Sequence, residues 1–199
     1  MGYHEYVFDE KTRAFVGRFE EMYQAERAQG FDSWHQEDSR NLTKRICLTI
    51  LDSWNFATVL DVGCGKGALT HQLKKENNRV VGIDVSPTAL EAAKARFSDV
   101  EFQNIDLARD PDALTALGTF DLAVCIETLS YLEDWRGVLE RIGRMASHAL
   151  IGLYLPENPI GFVKSPDDLA AEFHRSFNVI EDIRLLTRRQ MVLFGSARR

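Results

Sequence analysis

Cysteine, long apolar runs and excess positive charge are all scarce in this sequence, and each scarcity removes a class of answers. There are three cysteines in 199 residues, Cys47, Cys64 and Cys125, far apart and with no Cys-x-x-Cys pair. Neither a disulfide framework nor a zinc site follows from them. Cys47 and Cys125 read as core residues, and Cys64 as a small side chain inside a turn. No apolar run approaches the ~20 residues needed to cross a bilayer. The opening Met-Gly-Tyr-His-Glu-Tyr is polar where a secretion signal needs an apolar segment, so the default location is cytoplasmic. Basic residues number 24 against 30 acidic ones, a net charge of -6, which argues against a nucleic-acid surface as the main business of the chain. Internal repeats and linkers are absent as well. The expectation is one domain over 1–199, with 1–55 as an amino-terminal helical cap and 56–199 as the core.

What is present is ordinary globular composition, 45% hydrophobic and 27% charged, around one informative stretch. Val59, Leu60 and Val62 form a short apolar run, and Gly63, Gly65 and Gly67 follow at once. A helical pattern through Leu69 and Leu73 breaks at Asn77-Asn78. Val80, Val81 and Ile83 then make a second buried run, closed by Asp84. A strand, a glycine turn, a helix and a strand ending on an acid are half of a nucleotide-binding α/β unit.

Along the rest of the chain, Phe15, Phe19, Met22 and Tyr23 suggest an amphipathic helix over 10–30, ended by Gly30. A second amphipathic helix is expected over 39–54. Ser86-Pro87 reads as an N-cap and first helical residue, and residues 100–106 as a strand ending on Asp106. Asp110-Pro111 opens a short helix stopped by Gly118, and 120–126 is a fourth strand. A helix over 134–146 leads into a fifth strand at 149–155. Ser165-Pro166 starts a further helix, and the runs 179–186 and 191–194 lie close enough to form an antiparallel hairpin. The expected fold is α/β, a Rossmann-like doubly wound sheet of seven strands. It is mostly parallel with a carboxy-terminal antiparallel hairpin, helices on both faces and two amino-terminal lid helices.

Two ligand classes suit the glycine turn. A dinucleotide such as NAD would use Gly63, Gly65 and Ala68 in a GxGxxA pattern. S-adenosylmethionine, which has no phosphate, suits it equally, and the turn by itself does not choose. Asp61 two residues before the first glycine, the third glycine Gly67, the second strand-ending acid Asp106 and the closing hairpin favour the latter. With these residues the chain, over essentially 40–199, resembles the class I S-adenosylmethionine-dependent methyltransferases. Val-Leu-Asp-Val-Gly-Cys-Gly-Lys-Gly is similar to their first motif, Gly-Ile-Asp-Val-Ser to the second, and Asn-Ile-Asp-Leu to the one after the third strand.

The resemblance implies S-adenosylmethionine as cofactor, with S-adenosylhomocysteine as product, and a set of roles. Asp84 would accept from both ribose hydroxyls, and Asp106 from the adenine amino group, with Leu107 at the ring edge and Val85 and Ile105 as apolar walls. Gly63, Cys64, Gly65 and Gly67 would let the main chain approach the methionyl part, and Asp61 would receive its ammonium. Ile126, Glu127, Thr128 and Tyr131 would lie by the reacting methyl. In the polar stretch 31–40, the expected lid, Trp34 would pack on the ligand, His35 act as a base and Arg40 pair with the methionyl carboxylate. His35, Glu127 and Tyr131 are thus the catalytic candidates. Tyr3, Tyr6 and Tyr23 are further aromatic candidates, with Tyr23 favoured as core, and Glu157, Asn158 and Phe162 in the short insert 156–175 are minor ones. Asp61 as a structural acceptor and Asp106 as a helix cap remain open. The Asn/Asp-Pro-Pro-aromatic run of methyltransferases that act on base amino groups or amides is absent, Ile126-Glu127-Thr128-Leu129 standing in its place. Glu127 alone does not establish metal-assisted catalysis, and no metal is expected. The partner implied is a small molecule receiving a methyl on O or N, with no nucleic acid and no membrane. An NAD-linked oxidoreductase and a non-catalytic cofactor-binding protein are the alternatives.

Overall fold

The first strand of the core, Thr58–Val62, shows how the sheet is built: Leu60 and Val62 face one hydrophobic cluster, while Val59 faces another, as the two-residue period of a strand requires. The computed structural model describes residues 4–9, 11–38 and 40–198. The amino-terminal part contains α1 (His4–Val7), a two-stranded antiparallel hairpin of β1 (Phe8–Asp9) and β2 (Ala14–Phe15), α2 (Phe19–Gln29) and α3 (Leu42–Asp52). The core follows as β3 (Thr58–Val62), α4 (Ala68–Leu73), β4 (Arg79–Asp84), α5 (Pro87–Arg96), β5 (Glu101–Asn104), α6 (Ala113–Ala116) and β6 (Phe120–Ile126). It ends with α7 (Trp135–Met145), β7 (Ala146–Tyr154), α8 (Pro166–Ser176), β8 (Phe177–Leu185) and β9 (Gln190–Ala197).

The seven-stranded sheet has the order β5-β4-β3-β6-β7-β9-β8. Strands β3 to β7 run parallel, β9 pairs antiparallel with β7 and β8 antiparallel with β9. Residues from α3, α4 and α5 share one cluster with one face of the sheet, and residues from α6, α7 and α8 share the other. This is the doubly wound arrangement with a closing hairpin read from the sequence. The strand order reverses between β3 and β6, and a parallel sheet opens a crevice at the carboxyl ends of its strands at such a point.

The expected helix caps are present. Ser86 Oγ accepts from the Ala89 N–H, with Pro87 as first helical residue, and Ser165 does the same for α8. Gly30 ends α2 at φ +72°, a left-handed conformation that glycine adopts without a Cβ penalty.

One expected helix is shorter than its apolar spacing suggests. Residues 11–18 do not continue α2; Phe15 sits on β2, and Gly17 at φ +67° turns the chain between hairpin and helix. A Cβ there would lie 2.9 Å from the Phe15 ring. The amino-terminal cap is therefore a hairpin as well as helices. Among the described residues no helix is long and apolar enough to cross a membrane, and no cluster of three or more metal-ligating side chains occurs. Tyr3 lies outside the described residues.

Candidate active site

The glycine turn after β3 spends its own amides on itself and its neighbours. Gly63 and Cys64 N–H both donate to the Ile83 carbonyl, at 2.8 and 2.9 Å. Gly65 N–H donates to Asp84 Oδ2 at 2.8 Å, Lys66 N–H to Gln36 Oε1 at 2.9 Å, and Gly67 N–H to the Cys64 carbonyl at 3.0 Å. All five donors from 63 to 67 are used. Asp84, at the end of β4, is gripped on its other side by the Ser86 N–H at 2.9 Å. Burial raises its pKa, and these amides pull the other way. Each of its oxygens retains a second acceptor direction.

Above the turn lies a cavity of about 440 Å³ at the carboxyl edge of the sheet, walled by the β3, β4 and β6 exits and covered by the amino-terminal hairpin, α2, residues 34–36 and Asn41. Such a volume suits a cofactor-sized ligand. Its wall includes Trp34, His35, Asp61, Gly63, Cys64, Asp84, Val85, Ile105, Asp106, Leu107, Ile126, Glu127, Thr128 and Tyr131, so most residues singled out in the sequence converge on one space.

Of the cofactor-binding candidates, three do not reach it. Arg40 is exposed and pairs with Asp38, Nε to Oδ1 at 3.0 Å. A two-residue ion pair at the start of α3 holds it outward; it is not in the wall, and Lys44, one turn further on, is. Asn41 caps α3 by accepting from the Lys44 N–H, and the Lys44 ammonium donates to the Gln36 carbonyl at 3.2 Å. Burial lowers the pKa of Lys44 against the field of Glu37, Asp61 and Asp32. Gly65 and Gly67 lie behind the wall. A Cβ on Gly65 would strike Gln36 and Tyr23, and one on Gly67 would lie 2.7 Å from the Phe102 ring. Gly67, at φ +77°, starts α4 where that ring presses on it.

The carboxylates differ in what they face. Asp61 is buried, its Oδ2 accepts from the Thr70 hydroxyl at 2.7 Å, and burial pushes its pKa up to about 6. Asp106 lies two residues past β5. Its Oδ1 accepts from the Ala108 and Arg109 amides and its Oδ2 lies 3.3 Å from Arg109 Nε. It organises its own turn while lining the cavity. Glu127, the first residue after β6, adopts φ +57° and accepts from the Tyr154 N–H at 2.8 Å. A non-glycine residue in this region is uncommon and marks a site where the surroundings impose the backbone. Burial pushes the Glu127 carboxyl up to about 7, with the Tyr154 amide opposing.

Tyr131 stands at the centre of an aromatic group. Its ring stacks on Phe15 at 6.2 Å, meets Phe19 at 5.3 Å and lies 5.7 Å from Trp34. Tyr23 is buried, as expected, and its hydroxyl accepts from Gln36 Nε2 at 2.9 Å while also facing the cavity. Tyr6 lies under the Arg18 guanidinium. Glu157, Asn158 and Phe162 stay outside the wall. Glu157 pairs with Arg189, the Asn158 carbonyl accepts from Arg13 at 2.7 Å, and Phe162 packs edge-on against Phe15. The sequence reading missed Phe15 and Phe19 as wall residues, because a helical stripe looks the same whether it faces core or ligand. It missed Gln36 and Lys44 because only folding brings 36 to 66 and 44 to 61.

Residues 60–148 match the family described as "Methyltransferase domain". The chain is 31% identical over 128 residues to magnesium-protoporphyrin O-methyltransferase of Rhodobacter capsulatus, covering 60% of this chain and 55% of that protein. It is 32% identical over 89 residues to ubiquinone biosynthesis O-methyltransferase of Cronobacter sakazakii, covering 44% and 37%. The chain thus spans about half the length, or less, of these curated relatives. Among solved structures, N-methyltransferase NodS of Bradyrhizobium japonicum with S-adenosyl-L-homocysteine superposes with a TM-score of 0.70 at 22% identity, over 90% of this chain and 98% of that one. Magnesium protoporphyrin IX methyltransferase of Synechocystis with bound S-adenosylmethionine gives 0.65 at 17%, over 88% and 95%.

Proposed function

We propose that this chain, which carries a methyltransferase domain in the class I S-adenosylmethionine-dependent fold, transfers a methyl group from S-adenosylmethionine to an oxygen or nitrogen of a small acceptor and releases S-adenosylhomocysteine. The observation that carries the reading is the state of the glycine turn. Its donors from 63 to 67 are engaged, and the carboxylates of Asp61 and Asp84 stand on either side of it. A pyrophosphate would find no free amide in the turn and two like charges beside it. A ligand bearing an ammonium, a diol and a sulfonium finds acceptors instead.

S-adenosylmethionine would supply the electrophilic methyl. Asp84 would hold the ribose diol, a charge-assisted contact of about 1.5 to 3 kcal/mol. Asp61 would receive the ammonium, and Lys44, in place of Arg40, would attract the methionyl carboxylate. Val85, Ile105 and Leu107 would sandwich the adenine, with Asp106 toward its amino group. Gly63, Cys64 and Ile126 would bring main chain and an apolar wall to the methionyl and sulfur end, and Trp34 would cover it. Gly65 and Gly67 would act indirectly, by permitting the turn. Glu127 would take the acceptor proton, Tyr131 would position the acceptor, and His35, exposed at the rim, is the weaker candidate base.

The same reading treats the chain as a single domain working on a small molecule, without nucleic acid. The three buried free cysteines fit a reducing compartment such as the cytoplasm. Thermal unfolding with S-adenosylhomocysteine and, separately, NADH tests it: stabilisation by the former is expected, and stabilisation by NADH alone would sink it. Tight binding without turnover on any acceptor would instead leave a non-catalytic cofactor-binding protein.

A further inference from the structure

Each carboxylate in the cavity wall except one has its charge met by the protein or is placed for the cofactor. Asp106 pairs with Arg109. Asp61 accepts from Thr70 and lies in the field of Lys44. Asp84 holds two amides at the ribose end. Glu127 has a single donor, the Tyr154 N–H on Oε2, and among the described residues no cation pairs with it. A half-buried carboxylate left this way is costly to ionise, and desolvation pushes it up to about 7. Four residues on, Tyr131 gathers Phe15, Phe19 and Trp34 around it, all of them in the same cavity wall as Glu127. Aromatic faces attract cations. Lys44, the cation that an acidic acceptor would seek, is the one the methyl-transfer reading already places against the methionyl carboxylate, and it also donates to the Gln36 carbonyl.

We propose that the acceptor is an amine, bound as its ammonium against Glu127 with its carbon frame on the rings of Phe15, Phe19, Trp34 and Tyr131. This rests on the methyl-transfer reading and narrows it to nitrogen. The ammonium gives a proton to the Glu127 carboxylate and becomes a neutral amine with a free lone pair. A nitrogen–carbon bond then forms as the carbon–sulfur bond breaks, and the bonding pair leaves with sulfur. The product is a methylammonium, and the proton on Glu127 returns to solvent. The wall that accepted the substrate cation also accepts the product cation, whereas a carboxylate acceptor would meet an uncompensated like charge.

The test uses the full chain saturated with S-adenosylhomocysteine and three probes sharing one ring and differing in their end group: 2-phenylethylamine, 2-phenylethanol and 3-phenylpropionate. Calorimetric titration is expected to show the amine binding at least about ten-fold tighter than the alcohol, with the acid weakest. Glu127→Gln should weaken the amine about ten-fold or more and the alcohol by less than about two-fold, with the affinity for S-adenosylhomocysteine unchanged. Alcohol or acid binding as well as the amine, no measurable amine binding, or an amine affinity indifferent to Glu127→Gln would overturn the proposal. If that variant does not fold, the ranking of the probes on the natural chain decides alone. Failure of S-adenosylhomocysteine to bind at all would instead remove the methyl-transfer reading beneath it.

Discussion

The Lys66 ammonium, inside the glycine turn, is bound by the buried carboxylate of Glu26 and lies 3.1 Å from Asp32 Oδ1. Glu26 Oε2 in turn accepts from the Ser33 N–H at 3.0 Å, and Gln36 joins the Lys66 amide to the Tyr23 hydroxyl. One side chain of the turn therefore fastens α2 and residues 32–36 over the cavity. Burial alone would lower the Lys66 pKa, but the hydrogen bonds its ammonium donates to Glu26 and Asp32 outweigh it and raise it.

Lys66→Met removes that cation while leaving Glu26 buried, a loss on the order of 2–4 kcal/mol for a largely buried pair. The cover should loosen before the core does. Limited proteolysis is expected to cut within 31–41 faster in the variant than in the natural chain, and S-adenosylhomocysteine should slow the cut. Identical cleavage rates would mean that the latch holds nothing.

Asp84 and His35 both line the cavity, and they should behave differently. Asp84→Ala removes the proposed acceptor for the ribose diol and the partner of the Gly65 and Ser86 amides, so cofactor affinity should fall ten-fold or more, given about 1.5–3 kcal/mol for such charge-assisted bonds. His35→Ala touches an exposed rim residue and should leave that affinity nearly intact. Equal losses in a binding titration would show that the rim takes part in cofactor binding.

The buried acids set a pH dependence of opposite sense to ordinary acid denaturation. Glu127 is raised from 4.5 to about 7 and Asp61 from 3.8 to about 6. Between their ordinary and raised values the folded chain holds more protons than the unfolded one, so stability falls as pH rises through this window. Glu20 acts oppositely: burial alone would raise it, yet hydrogen bonds from Ser86 and Thr88 keep it low, so its contribution is lost only as pH falls toward the acid range. The urea midpoint of the ligand-free protein should thus be higher at pH 5 than at pH 7, and Glu127→Gln should flatten the slope. A midpoint that rises over this interval would contradict the burial of these two groups.

Two glycines at positive φ separate backbone strain from crowding. At Gly30, φ +72°, no atom lies within 4 Å of a built Cβ, so Gly30→Ala should cost only about 1 kcal/mol of left-handed strain. At Gly67, φ +77°, the Phe102 ring adds a steric clash, and Gly67→Ala should cost about 1–3 kcal/mol more. Urea unfolding of the two variants measures the difference, and equal losses would place the Phe102 ring elsewhere.

The aromatic wall and the lysine in the same cavity lining were the least legible parts of the sequence. Phe15 and Phe19 fit a helical period, yet Gly17 puts one on a strand and the other on a helix, and both reach Tyr131 more than a hundred residues away. Arg40 and Lys44 look alike as candidate cations. Their fates are set by Asp38, which turns Arg40 outward, and by the Asn41 cap, which starts the helix that carries Lys44 inward.

What the sequence determined by itself is what local rules control. Two-residue alternation on the strands, Ser-Pro helix starts, glycines at the turn and acids on schedule at the strand ends define the sheet, its carboxyl edge and the identity of Asp84 and Asp106. Those signals are local because backbone conformation and side-chain alternation depend on neighbouring residues alone. Only the tertiary structure decided which glycines touch the cavity, which partners the described residues give each acid in its wall and how the amino-terminal segment is fastened. These depend on contacts such as Lys66 with Glu26, Tyr131 with Phe15 and Glu127 with Tyr154, whose partners lie far apart in the chain and meet only once the sheet has brought its edge together.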